Sequence, residues 1–249
     1  MRRSTKWLLA AGLVAFLLIV VAQIPASLAA RWLPADLQVS SLGGTLWHGE
    51  ALGVHAQAFD IERVEWRLRP LSLLAGRFTA AISATNGADL ITGEVTFDRS
   101  GRIDARNVEA KIDVASLAGR ALPSGWGGPA TLHLEELTIA GGWIAAIVGT
   151  AESGTLTGPP HDQPYLGSYR VTFGREASRA PAEILGNFQD TGGPIEISGE
   201  VRLYQDRRAV ISGWVRARPS APPGVIADIA SLPEVDPQGR RRFSIENTF

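Results

Sequence analysis

Between Arg63 and Arg69 the chain reads R-V-E-W-R-L-R, which puts Val64, Trp66 and Leu68 on one side of an extended strand and Arg63, Glu65, Arg67 and Arg69 on the other. This period of two recurs through Phe78, Ala80 and Ile82, then Ile91, Val95 and Phe97, then Val108, Ala110, Ile112 and Val114. It returns at Ile195, Ile197, Val201 and Leu203, and at Ala209, Ile211 and Val215. One apolar and one wet face per strand is the pattern of antiparallel meanders, whereas the strands of a parallel α/β sheet are apolar on both faces. The chain is therefore expected to be mainly β: a curled antiparallel sheet, as a meander, half-barrel or sandwich.

Polar turn signals separate the strands at Thr85–Asp89, Asp98–Arg102 and Gln205–Ala209. Two short helices are expected, over Pro70–Gly76, with Pro at the start and Gly at the end, and over Val114–Gly119. The Gly/Pro-rich stretch Leu122–Pro129 reads as a loop that divides the β region into two halves near 120–130, and Leu156–Pro164 reads as a second loop. The tail from Ser220 is Pro-rich and then basic, and is expected to pack irregularly or lie exposed.

Ahead of the strands, Trp7 to Ala30 carries no charge. Roughly 20 apolar residues span the ~30 Å hydrocarbon core of a bilayer, so this run reads as an anchor containing Trp7, Leu13, Phe16, Ile19 and Ile24. Arg2, Arg3 and Lys6 precede it, which keeps the N-terminus cytoplasmic and sends residues 31–249 across. The competing reading is a cleaved signal peptide, for which Ala26–Ala30 offers small residues. The apolar run exceeds the usual signal core of about 7 to 15 residues. The expected organisation is thus 1–30 as cytoplasmic tip and anchor, and 31–249 as the exported β domain.

Without those three cations, 21 of the 24 basic residues remain against 25 acidic ones, so no polyanion-binding surface and no nucleic-acid partner is expected. Cysteine is absent, which excludes disulfides and thiolate centres. No nucleophile elbow, phosphate loop or paired-His zinc helix is present. His48 and His55 are seven apart, so a straight strand points them to opposite faces and they cannot share a metal. His133 between Leu132 and Leu134 reads as solvent-facing, and His161–Asp162 as a polar loop. Glu62 with Glu65, and Glu135–Glu136, read as solvated strand faces, and Arg240–Arg242 as a solvated basic tail. Phe243, Ile245 and Phe249 at period two read as an edge strand. No catalytic residue, metal or cofactor is expected. The apolar sheet face must be covered by curling, by a second sheet, or by a partner or lipid.

Gly43, Gly44, Trp47 and Gly49 in L-G-G-T-L-W-H-G-E-A are followed by V-E-W-R-L-R-P-L-S-L-L-A-G-R-F, with Trp66, Pro70 and Gly76. The glycines read as a bend and a point of close backbone approach, with Trp47 supplying buried area and His48 turned away. In this order, behind a basic-apolar N-terminus, the segments resemble the type II secretion system protein N family, itself similar to the broader AsmA-like group of membrane-anchored β proteins. The resemblance covers Met1 to about Phe78, and beyond that only strand rhythm and length. It implies a non-enzymatic bacterial inner-membrane component of the general secretion pathway with a periplasmic β domain. Its partners would be other secretion proteins. The alternative is an AsmA-like protein that binds or transfers lipid through an apolar groove.

Overall fold

The computed structural model describes residues 7, 12–13, 15–16, 19–28, 37–56, 59–117, 125–158, 165–174 and 183–248. The chain forms two compact units, Met1–Gly87 and Ala88–Phe249. The first holds β1 (Gln38–Gly44), β2 (His48–Ala56), β3 (Phe59–Leu68), α1 (Pro70–Leu74) and β4 (Phe78–Asn86). The second holds β5 (Asp89–Phe97), β6 (Ile103–Asp113), β7 (Pro129–Ala140), β8 (Trp143–Leu156) and β9 (Gly167–Phe173). It continues with β10 (Glu183–Gly192), β11 (Ile195–Tyr204), β12 (Arg208–Ala217), α2 (Pro223–Ala230) and β13 (Arg241–Thr248).

Within each unit the strands lie in chain order and pair antiparallel, and the first and last do not pair. Each sheet is therefore an open meander. The turns expected at Asp98–Arg102 and Gln205–Ala209 join β5 to β6 and β11 to β12. Residues 122–124 of the expected dividing loop lie outside the described residues, and β6 and β7 on either side of it pair with each other. The Leu156–Pro164 loop and His161–Asp162 fall mostly or wholly outside the described residues too.

Pro70 opens α1 with its φ already set for a helix, and Gly76 at φ 69° closes the turn by donating its N–H to Leu73 O at 2.9 Å. The second expected helix is a single 3-10 turn over Val114–Leu117. Both short helices lie in the connections between successive strands, β3 to β4 and β6 to β7, so neither interrupts a ladder.

The ladders slip in register at several points, between β5 and β6, β7 and β8, β8 and β9, and β9 and β10, and the slip in β6 has a clear backbone cause. Asn107 in β6 has φ 49°, and the β5–β6 register slips by one residue there. The bulge returns Ala105 to the face that carries Ala110, and both are buried.

The tail differs from expectation. It forms α2 and β13, and its arginines are committed: Arg240 Nε donates to Asp236 Oδ2 at 2.7 Å, Arg241 donates to Leu232 O, and Arg242 Nη1 donates to Glu234 Oε2 at 3.1 Å. A short acidic turn at 234–236 supplies the counter-charges, so these residues are not a free basic cluster.

Described residues from Trp7 to Ala22 are helical, and Trp7, Leu13, Phe16 and Ile19 are each more than half exposed. Among the described residues no helix is long and apolar enough to cross a membrane. The rest of the expected span, residues 8–11, 14, 17–18 and 29–30, lies outside them.

Candidate functional site

In the first unit the two signature tryptophans work on one turn. The turn Thr45–Trp47 between β1 and β2 is closed by Thr45 N–H donating to His48 O at 2.8 Å. Gly44 enters it at φ 78°, and a Cβ there would lie 2.5 Å from His48 O. Leu46 N–H donates to Ile24 O at 2.8 Å, Thr45 forms a bridge with Pro25, and the Trp47 indole N–H donates to Val21 O at 2.7 Å. Three contacts thus tie the end of the N-terminal helical segment to the first hairpin.

From the other side, the Trp66 indole N–H donates to Leu46 O at 3.0 Å, and Leu68 N–H donates to Trp47 O at 2.8 Å. Register places Gly49 opposite Trp66. A Cβ at position 49 would lie 2.4 Å from Trp66 Cζ2 and 2.8 Å from Gly43 O, so only glycine leaves room for the ring. Gly49 is the seat of Trp66, and Trp66 holds the turn from which Trp47 reaches the helix end. Trp47 itself is half-buried in a turn, not sunk in the sheet. The carbonyls of Val21, Ile24 and Leu46 escaped sequence reading because a backbone acceptor leaves no trace in residue identity.

The opposite face of the same strands is polar. A cleft of about 470 Å³ is lined by His48, Glu50, Glu65, Arg67 and Ser83 from this face together with Trp66 and Ile82. Glu50 and Glu65 face each other across β2 and β3, and Arg63 Nη1 lies 3.7 Å from Glu65 Oε1. His48 is exposed, and His55 meets Asp60 Oδ1 at 2.9 Å at the far end of β2. Glu62 Oε2 accepts from Gly87 N–H at 3.3 Å, and His133 and Glu135 are exposed. Among the described residues no three His, Cys, Asp or Glu side chains come together as a metal cradle. Among the described residues no hydrogen bond or ion pair joins the side chains of His48, Glu50, Glu65, Arg67 and Ser83 to one another, so no nucleophile is coupled to a base in the cleft.

In the second unit one apolar row crosses all nine strands: Ile91, Ala110, Leu132, Ala151, Val171, Phe188, Gly199, Gly213 and Phe243 stand successively opposite one another. Gly199 and Gly213 open a gap that Phe188 and Phe243 fill, their ring centroids 6.1 Å apart. Large apolar side chains on this sheet stay accessible, with Ile91 at 41% and Ile211 at 36% exposure. Among the described residues Thr138 is the largest side chain that is fully buried. A sandwich would bury leucines and phenylalanines between two layers, so this row is not the interior of one, and at Ile91 it is open to solvent.

At one end of that sheet Asp190 Oδ2 accepts from Arg218 Nη2 at 2.6 Å, and Asp190 Oδ1 accepts from Ile197 N–H at 2.9 Å. Tyr169 beside it donates to Leu166 O, and burial, aided by the Asp190 charge, pushes its phenol up to about 12. Arg218 Nη1 also donates to Gly193 O and Ile195 O at 2.7 and 3.2 Å. Every group here has a structural partner, which makes it a clasp for the ends of β10 and β11.

The model of the family described as "Type II secretion system (T2SS), protein N" matches residues 35–244. A protein of Aeromonas hydrophila named "Type II secretion system protein N" is 23% identical over 238 residues, spanning 92% of each chain. No solved structure matches. The match begins just before β1 and runs through the turn, the glycine seat and both tryptophans into β13. The chain belongs to the type II secretion system protein N family.

Proposed function

We propose that this chain is a non-enzymatic component of the type II secretion machinery, held in the bacterial inner membrane by its N-terminal segment and binding other secretion proteins through its periplasmic sheets. The observation that carries the reading is the family match across both units. Anchoring is supported by the exposed Trp7, Leu13, Phe16 and Ile19, whose burial in lipid is worth about 1.5–3 kcal/mol each. The cytoplasmic N-terminus rests on Arg2, Arg3 and Lys6. A structural role is supported for Gly44, Trp47, Gly49 and Trp66 by the junction described above, for Gly43 by its carbonyl, which crowds any Cβ at position 49, and for Pro70 and Gly76 by the ends of α1.

Deleting the gene in its host is expected to abolish appearance of secreted proteins in the medium while they accumulate folded in the periplasm. The intact chain should restore export, and undiminished export in the deletion strain would refute the reading. Intact mass of the membrane-extracted protein should correspond to a start at Met1; a start near Ala30 would eliminate the anchor.

A second reading, acyl-chain binding, is favoured by the apolar row of the second unit. Lipid co-purifying at fixed stoichiometry, with no secretion protein crosslinked, would select it.

A further inference from the structure

We propose that β13 is a self-association edge, through which two copies of this chain pair antiparallel about Ile245 and join their sheets. The inference stands on the sheet edge alone and not on the secretion role.

β12 covers one side of β13 from Arg241 to Thr248. On the other side the acidic turn reaches only as far as Arg242: Val235 bridges Arg241, Asp236 N–H donates to Arg240 O at 2.9 Å, and Arg242 N–H donates to Glu234 O at 3.0 Å. These bonds show that Arg240 and Arg242 direct their backbone groups outward. By the alternation of an antiparallel strand Ser244 and Glu246 do so too. Among the described residues no strand pairs with that edge. From Ser244 to Thr248 every side chain is exposed, Ile245 at 59%. This stretch has no Lys, Pro or bulge, and Glu246 is its one charged side chain.

Of the two-fold registers centred on Ser244, Ile245 or Glu246, each of which keeps the outward groups facing each other, two fail. Centring on Ser244 brings the second copy's Glu246 against Arg242, where the 234–236 turn already sits. Centring on Glu246 sets two carboxylates directly opposite, which is destabilising. Centring on Ile245 pairs the two isoleucines at the close, non-hydrogen-bonded position and sets Ser244 opposite Glu246 twice. Four backbone hydrogen bonds form, and each copy uses the same surface, as a two-fold dimer requires. The ladder ends before Thr248, which in this register comes opposite Arg242 and the 234–236 turn and whose N–H already meets Asn247 Oδ1 at 3.0 Å.

The chain has no cysteine, so single-cysteine variants report cleanly. In the full chain, in detergent or native membranes, Ile245→Cys should form a disulfide dimer under mild oxidation, since a non-hydrogen-bonded pair places Cα atoms about 4.5 Å apart, within disulfide reach. Thr248→Cys should not, because its two copies would lie roughly 20 Å apart at ~3.4 Å per residue. Equal crosslinking of the two variants, or none from Ile245→Cys, overturns the proposal. Adding Glu246→Pro removes an outward N–H that the chain itself does not use, and should cut Ile245→Cys crosslinking at least tenfold. Unchanged crosslinking overturns the register. Ile245→Lys, which leaves the backbone intact, should shift sedimentation at least tenfold in concentration toward monomer, and an unshifted dimer likewise contradicts the inference.

Discussion

Gly49 bears the clearest constraint at the level of single residues. Gly49→Ala forces its new methyl into the Trp66 ring and toward the Gly43 carbonyl, and overpacking of this kind costs about 1–3 kcal/mol. Denaturant unfolding should register that loss, and Gly49→Ala combined with Trp66→Phe should recover part of it if the indole is the obstacle. Trp47→Phe keeps an aromatic ring and removes the donor to Val21 O, for an expected loss of about 1 kcal/mol and faster proteolysis between the helix end and β1. Full burial of Trp47 would make Trp47→Ala cost about 3–5 kcal/mol; its half-buried place sets the expected loss below that range. His48→Ala should leave folding and export nearly unchanged, because the exposed imidazole lines only the polar cleft. A folded His48→Ala protein that failed to export would mean the cleft is functional. The glycine–tryptophan spacing was readable as a bend with close approach. That Trp66, and not Trp47, fills the space over Gly49 was not, because cross-strand register decides it.

At the level of elements, the β6–β7 pair has the most informative chemistry. Thr138 Oγ1 donates to Asp104 Oδ1 at 2.7 Å, and Arg102 Nε donates to the same oxygen at 2.9 Å. The Thr138 hydroxyl first, and the Arg102 charge with it, hold the Asp104 carboxyl below its ordinary value of 3.8. A depressed carboxyl stabilises the fold above pH 3.8 and loses that contribution as pH falls through the folded value, so acid unfolding should steepen there. Thr138→Val should move that acid limb to higher pH. Tyr169 acts at the other extreme: the unfolded phenol ionises near 10 and the folded one at about 12, so stability falls as pH rises between them. Tyr169→Phe should flatten that alkaline limb. The bulge at Asn107 tests the backbone: Asn107→Gly is expected to be neutral, and Asn107→Val to cost about 1–2 kcal/mol, since a β-branched residue resists positive φ. Strand rhythm revealed the elements on either side of this bulge. The slip itself was visible only as a three-residue gap between Ala105 and Val108, and alternation alone does not say which residue leaves the ladder. α1 was legible from its own ends, Pro70 and Gly76, because both act through fixed local dihedrals. The fate of Arg240–Arg242 was not, since their acidic partners come from a turn whose shape depends on β13.

For the whole molecule, Val64, Trp66 and Leu68 announced half-covered antiparallel strands, a pattern equally compatible with a meander, a half-barrel or a sandwich; the register shows an open meander in each unit. What covers the apolar row from Ile91 to Phe243 cannot be written in these strands, because an alternating sequence is the same whether its apolar face meets a second layer, lipid or another protein. The family match over 35–244 favours a secretion protein at that face. The decisive measurement is photo-crosslinking in intact, actively secreting cells from a probe placed at Ile91 or Ile211 on the exposed part of the row. The account predicts adducts whose mass and peptides identify type II secretion components, lost when the remaining machinery is deleted. Adducts with lipid alone, or an unchanged pattern in cells lacking that machinery, would contradict it.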